Sequence, residues 1–209
     1  MADAAAIELP YPEAALIEEE TLEEQVATQA RTLPERPLVL GGCCCSHVGA
    51  VEGLATRHDR FAIVWVDAHG DLNTPESSPS GNEWGMPLRM IIDSGAVDPR
   101  DVVLLGARNL DPPEREFIAE AGIHTGSKAL AGALNDVDCV YVAVDFDGLD
   151  EADVAPFMPE PGGIRLAEAL ATLSRLAAEK TVLGAGFTGL VPDRRNVEPA
   201  TRLAAALGL

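Results

Sequence analysis

The chain has 209 residues, of which 47% are apolar, enough for one packed domain and too many for wholesale disorder. Its formal net charge of −19 argues against nucleic acid and anionic membranes as partners and favours metal cations and cationic substrates such as guanidinium compounds, although an acid-biased proteome produces the same balance. No run approaches the roughly 18 uninterrupted apolar residues of a membrane span, and Met1–Ala6 lack the basic-then-apolar pattern of an export signal, so a cytoplasmic protein is expected.

Residues 12–31 (PEAALIEEETLEEQVATQAR) are rich in Ala, Glu and Leu with apolar positions at helical spacing, which predicts a helix. From Pro37 onward, short apolar runs alternate with helical stretches. The β-type runs fall at Leu38–Leu40, Phe61–Val66, Val102–Leu105, Val140–Val144 and Thr181–Leu183. Helices are expected near Val48–Arg57, Met86–Asp93, Glu114–Ala121, Leu166–Ala178 and Ala200–Leu207. Continuous apolar strands alternating with helices predict a three-layer α/β/α fold, its sheet mostly parallel and covered on both faces, in a single domain over 1–209. Polar residues gather where such a sheet would use them. Cys43–His47, Asp67–Asp71, Arg108–Asp111 and Asp145–Asp150 each follow a strand, and open α/β sheets bind ligands outside the carboxyl ends of their strands.

Asp67-Ala-His69-Gly-Asp71 leaves the strand FAIVWV at two-residue spacing, which points all three side chains to one side of an extended chain. Asp145-Phe-Asp147 repeats the pattern after VYVAV. Four carboxylates and an imidazole on one rim cannot all stay charged without cations among them. Mixed oxygen and nitrogen donors suit Mn²⁺, with Fe, Co, Ni or Zn as competitors. Of the four cysteines, Cys43, Cys44 and Cys45 are adjacent, which suits reduced thiols rather than a disulfide framework. As a nucleophile Cys44 is disfavoured, because neighbouring carboxylates raise a thiol's pKa unless metal binds it. Gly184-Ala-Gly186-Phe-Thr-Gly189 satisfies the GxGxxG pattern, but it runs into Pro192 and lacks the acid about 20 residues on that a dinucleotide site uses.

The stretch DAHGDLNTPESSPSGNEWGMP (Asp67–Pro87), Gly41-Gly42, VDFDGLD (Val144–Asp150) and Gly162–Ile164 together resemble the signatures of the ureohydrolase (arginase/agmatinase) family, its arginase branch most closely. The likeness runs from about Leu38 to Gly189. It implies an arginase-like fold and a metal-dependent hydrolase that cleaves the guanidino C–N bond of arginine or a related (hydroxy)guanidino amino acid, releasing urea or a substituted urea. By the resemblance, Asp67 and Asp145 bridge two Mn²⁺ ions, His69 and Asp147 complete one site, and Asp71 and Cys44 complete the other. Asp71 would also relay a proton to the leaving amine. Asn73 and Ser80 match positions that hold an α-carboxylate, and Asp111 one that holds an α-amino group. Homotrimers or homohexamers are implied as well.

The departures from the family pattern are specific. Cys44 stands where the family has its first ligand histidine, and a thiolate is a softer ligand than Mn²⁺ prefers. His47, three residues on, is a second candidate. Cys43 and Cys45 replace Asp and Ser. Trp84 stands in place of an active-site histidine, and indole cannot shuttle protons near neutral pH. Val191 falls where a glutamate grips the guanidinium, with Asn196-Val-Glu198 as a shifted alternative. The family's first strand and its long connection have no evident counterpart before Pro37. A second expectation follows: a catalytically weakened relative that binds metal or an arginine-like ligand in a regulatory role.

Overall fold

A computed structural model describes residues 15–209. Six strands form one sheet: β1 (Leu38–Leu40), β2 (Ala62–Val66), β3 (Val102–Leu105), β4 (His124–Thr125), β5 (Cys139–Asp145) and β6 (Thr181–Thr188). Their order is β1-β6-β5-β2-β3-β4, and every neighbouring pair is parallel. Among the described residues the α-helices number seven: α1 (Leu22–Thr32), α2 (Ser46–Ala55), α3 (Pro87–Asp93), α4 (Pro112–Ala121), α5 (Ser127–Ala133), α6 (Leu166–Glu179) and α7 (Val197–Ala206).

Side-chain alternation along the central strands divides the core into two layers. Ala62, Val64 and Val66 of β2, with Val140, Val142 and Val144 of β5, pack under α5, α6 and α7. Ile63 and Trp65, with Tyr141 and Ala143, face the opposite way toward α2, α3 and Leu33 at the end of α1. Both faces are therefore dry, and the central strands read as unbroken apolar runs for that reason. The three-layer α/β/α fold expected from the sequence is the one found.

Topology sets the place of the site. From β2 the chain crosses to β3 on one side, whereas from β5 it crosses to β6 on the other. The crevice between departing crossovers opens at the carboxyl ends of β2 and β5. Val66 pairs with Val144 there, so Asp67 and Asp145 leave the two strands level with each other.

Some expectations fail in detail. Residues 12–14 lie outside the described residues, and the expected helix over 12–31 begins only at Leu22. Thr21 Oγ1 accepts the Glu24 N–H at 3.2 Å, a capping bond that starts the helix after the Glu18-Glu19-Glu20 run instead of before it. β6 does not stop at Leu183 but continues to Thr188 through Gly184 and Gly186. A Cβ at Gly186 would sit 2.6 Å from the His47 ring and 2.7 Å from the Tyr141 hydroxyl, so the glycine permits close approach and signals no nucleotide loop. β4 and α5 have no strong apolar periodicity and were not expected. Among the described residues no helix is long and apolar enough to cross a membrane.

Candidate metal centre

The chain bends as soon as it leaves β2. Asp67 Oδ1 accepts the His69 N–H at 2.7 Å, closing a tight side-chain turn, and Asp71 adopts a left-handed φ of 53°. The extended geometry expected from the two-residue spacing is therefore not what aligns these side chains. Convergence is achieved by turns, which several groups hold in place. Glu114 at the start of α4 accepts the Leu72 N–H at 2.9 Å and the Asp111 N–H at 2.8 Å, and the Arg108 and Asn109 N–H groups both bond to the Ala68 carbonyl. After β5, Asp145 likewise accepts the Asp147 N–H at 2.9 Å and caps a 3-10 turn over Phe146–Gly148.

Two groups of donors result, with Asp67 common to both. Ligand atoms of Cys44, Asp67 and Asp71 lie within 4.8 Å of one another, as do those of Asp67, His69 and Asp147. His69 Nδ1 is 3.3 Å from Asp67 Oδ1 and 3.2 Å from Asp147 Oδ2. Asp145 adjoins the first group: the Cys44 thiol lies 3.1 Å from its Oδ2, which also accepts the Thr188 hydroxyl at 3.1 Å. Trp65 Nε1 donates to Asp67 Oδ2 at 3.2 Å. Gly189 passes so close to the Asp145 carboxylate that a Cβ there would overlap it. All four aspartates and Cys44 are buried, and His69 is partly exposed.

The electrostatics of this cluster are those of a site short of positive charge. Burial, then the charges of Asp67 and Asp145, push Asp71 well above the usual carboxylate range. Asp145 is raised by burial and by Asp67 and Asp147. Asp67 is raised to about 6, mainly by burial. The Cys44 thiol is pushed up by burial and by Asp145. In the other direction, bonds to Asp147 and then Asp67 lift His69 to about 11. Burial also acts to raise Asp147, but the His69 ring and the Ala68 N–H outweigh it and leave that carboxyl below its ordinary value. Asp71 Oδ2 is the one buried side-chain oxygen or nitrogen among the described residues without a hydrogen-bond partner. An orphaned buried carboxylate oxygen beside other oxygen donors, an imidazole and a thiol fits a divalent cation.

A sequence model of the arginase family matches residues 1–208. The chain belongs to the arginase family. It is 35% identical over 190 residues to the arginase of Bacillus caldovelox, covering 77% of this chain and 63% of that one. With the arginase of Bacillus subtilis it shares 34% over 189 residues, covering 77% and 64%. The chain thus spans a little under two thirds of these curated relatives. The solved structure of the Bacillus caldovelox arginase superposes with a TM-score of 0.81 at 28% identity, over 95% of this chain and 82% of that one.

The remaining residues expected at the site of this arginase-family chain divide sharply. Asn73 is buried and donates from Nδ2 to Asp111 Oδ2 at 2.9 Å while accepting the Ser77 hydroxyl at 3.0 Å, so Asn73 and Asp111 are brought together. Ser80 is exposed and hydrogen-bonds within its own loop, to Ser78 and to the Asn82 N–H. Trp84 is 50% exposed. His47 belongs to neither donor group. It is fully buried, with Nδ1 3.0 Å from the Tyr141 hydroxyl and Nε2 3.4 Å from Thr188 Oγ1, and burial lowers its pKa to about 3. The shifted alternative near the carboxyl terminus also fails. Glu198 is 80% exposed on α7 and paired with Arg202, whereas Asn196 is buried and bonds to Ala155 and Val191.

Sequence reasoning missed Thr188, whose hydroxyl stands between Cys44, Asp145 and His47. The apolar run Thr181–Leu183 ends five residues before it, and Gly184 and Gly186 conceal the rest of the strand. Glu114 left a clearer trace: Asp111-Pro-Pro-Glu114 is a capping-box pattern, and the reciprocal bonds are formed.

Proposed function

We propose that this chain hydrolyses the guanidino C–N bond of arginine or a related (hydroxy)guanidino amino acid, releasing urea or a substituted urea, with two Mn²⁺ ions as cofactor. One observation carries the reading. Four buried aspartates, whose carboxylates have no arginine or lysine partner among the described residues, meet a cysteine and a histidine at the switch point of an arginase-family sheet. Divalent cations there supply Lewis acidity. Asp67, common to both donor groups, and Asp145, level with it on the next strand, are assigned to serve both ions. His69 and Asp147 are assigned to one ion, Cys44 and Asp71 to the other. Asp71 Oδ2, which has no hydrogen-bond partner, is the atom suited to take a proton and pass it to the leaving amine. Asn73 and Ser80 are assigned to the α-carboxylate of the substrate, and Asp111, one hydrogen bond from Asn73, to its α-amino group. That polar pair favours an amino acid over its decarboxylated analogue.

Metal analysis of protein purified without added metal, followed by urea release from arginine, hydroxyarginine and agmatine, tests the assignment. Turnover of arginine or hydroxyarginine in excess over agmatine is expected, and a preference for agmatine overturns the substrate class. A second reading is favoured by the exposed indole of Trp84 and the outward-facing Glu198: a catalytically weakened protein that holds metal or an arginine-like ligand in a regulatory role. Bound metal without urea release from any of the three selects it. Assembly into trimers or hexamers belongs to the first reading, and light scattering measures it.

A further inference from the structure

The two ring nitrogens of His69 have different neighbours. Nδ1 lies among the carboxylates of Asp67 and Asp147, whereas Nε2 lies 3.7 Å from Glu160 Oε1. Glu160 belongs to neither donor group and sits on the connection between β5 and α6. Its carboxylate is oriented by a second bond, since Asn109 Nδ2 donates to the same Oε1 at 3.0 Å. The loop beneath it is anchored through the backbone. One Arg108 guanidinium donates to the carbonyls of Asp147 (2.7 Å), Glu160 (2.7 Å) and Pro161 (2.8 Å). The N–H groups of Arg108 and Asn109 in turn hold the Ala68 carbonyl, next to His69 itself. Loops after β2, β3 and β5 are thus tied at one point, with the Glu160 side chain directed at the far nitrogen of the imidazole.

A neutral imidazole that ligates a cation through one nitrogen carries its proton on the other, and a carboxylate at that proton sets the tautomer and the ring plane. We propose that Glu160 is a positioning residue for His69: it takes the Nε2 proton as its hydrogen-bond partner and so presents the Nδ1 lone pair to a divalent cation beside Asp67 and Asp147. The inference rests on the metal-binding reading above. At 3.7 Å the pair is within ion-pair range and longer than a formed hydrogen bond, so the bond to Nε2–H requires that gap to close. Because Arg108 grips main-chain carbonyls, a change of the Glu160 side chain leaves the loop anchored.

The test is a Mn²⁺ titration by calorimetry of wild type, Glu160→Ala and Glu160→Gln, joined to ¹⁵N shifts of the His69 ring in Zn²⁺-loaded protein. Glu160→Ala should weaken one Mn²⁺ site by roughly 10-fold or more. Glu160→Gln should restore most of that loss, because its amide oxygen still accepts from Nε2–H. The shifts should place the proton on Nε2 in the wild type. Equal affinities for wild type and Glu160→Ala overturn the proposal. A Gln variant as weak as Ala overturns it too, since only a negative field would then be at work. So does a ring proton on Nδ1. A wild type that binds no divalent ion overturns the metal-binding reading itself and the proposal with it.

Discussion

Both ends of the sheet bury carboxylates, and the chain treats them in opposite ways. At the amino ends of the strands, Asp101 is buried at the start of β3 and Arg60 covers it with two bonds of 2.8 Å. At the carboxyl ends, four aspartates are buried together, and among the described residues no arginine or lysine pairs with any of their carboxylates. Among the described residues His69 is the one basic side chain paired with these carboxylate groups, against four carboxylates and a thiol. A buried carboxylate without a countercharge costs several kcal/mol. The protein supplies its own cation beside Asp101 and none from arginine or lysine beside the carboxylates that could hold a metal ion.

The sharpest way to break this contrast is to remove the carboxylates that stand between the two donor groups. Asp67→Ala and Asp145→Ala should each lose most bound metal by elemental analysis. Metal-dependent urea release should fall by more than about 100-fold, beyond what changes around the ligands usually cost. Either variant retaining the wild-type metal content would sink the assignment at that residue.

Cys44 offers a milder change. Replacing its thiol by imidazole swaps a soft donor for one that Mn²⁺ accepts more readily. Cys44→His should raise Mn²⁺ affinity by roughly 10-fold, about 1.4 kcal/mol, in a calorimetric titration with Cys43→Ser as control. Three equal affinities would show that Cys44 is no ligand but a small buried residue. Activity on arginine should rise less than affinity, since Trp84 and Val191 are unchanged.

Thermal denaturation of metal-free protein compares the two ends directly. Arg60→Ala strands a buried carboxylate and should lower Tm. Asp71→Asn removes one of several repelling charges and should raise it. If both changes move Tm the same way, the contrast between the two ends is wrong.

The smallest effect is a pH slope. Asp67 titrates near 6 in the fold against an ordinary 3.8, so the folded state holds the extra proton between those values. Its contribution to stability therefore declines as pH rises through that window. His69 is raised from 6.5 to about 11, so its ion pairing is fully present below about 6.5 and is lost as pH climbs toward 11. Asp147, held below its ordinary value, acts only at the acid end. The metal-free protein should thus lose Tm from pH 5 to pH 9. With Mn²⁺ present the trend should flatten or reverse, because the cation displaces the same protons and binds more tightly as pH rises. A metal-free protein most stable near pH 9 would contradict the charge-starved site.

Local chemistry was enough to foresee five of the six strands of the sheet, its two covered faces and the polar residues at its carboxyl edge. An apolar run such as AIVWV can only be buried, and the acids that follow it must then emerge at a strand end. The motifs Asp67–Asp71 and Asp145–Asp147 were legible for the same reason, as was the arginase-family likeness they carry. Tertiary structure alone decided how those carboxylates meet, since convergence depends on the left-handed turn at Asp71 and on bonds from Glu114, Arg108 and Thr188, which lie far away in the chain. It also decided that His47 fills the core and Glu198 faces water. A residue type and a spacing state what a side chain can do; its direction is set by what packs against it, and that packing comes from strands that are neighbours only in space.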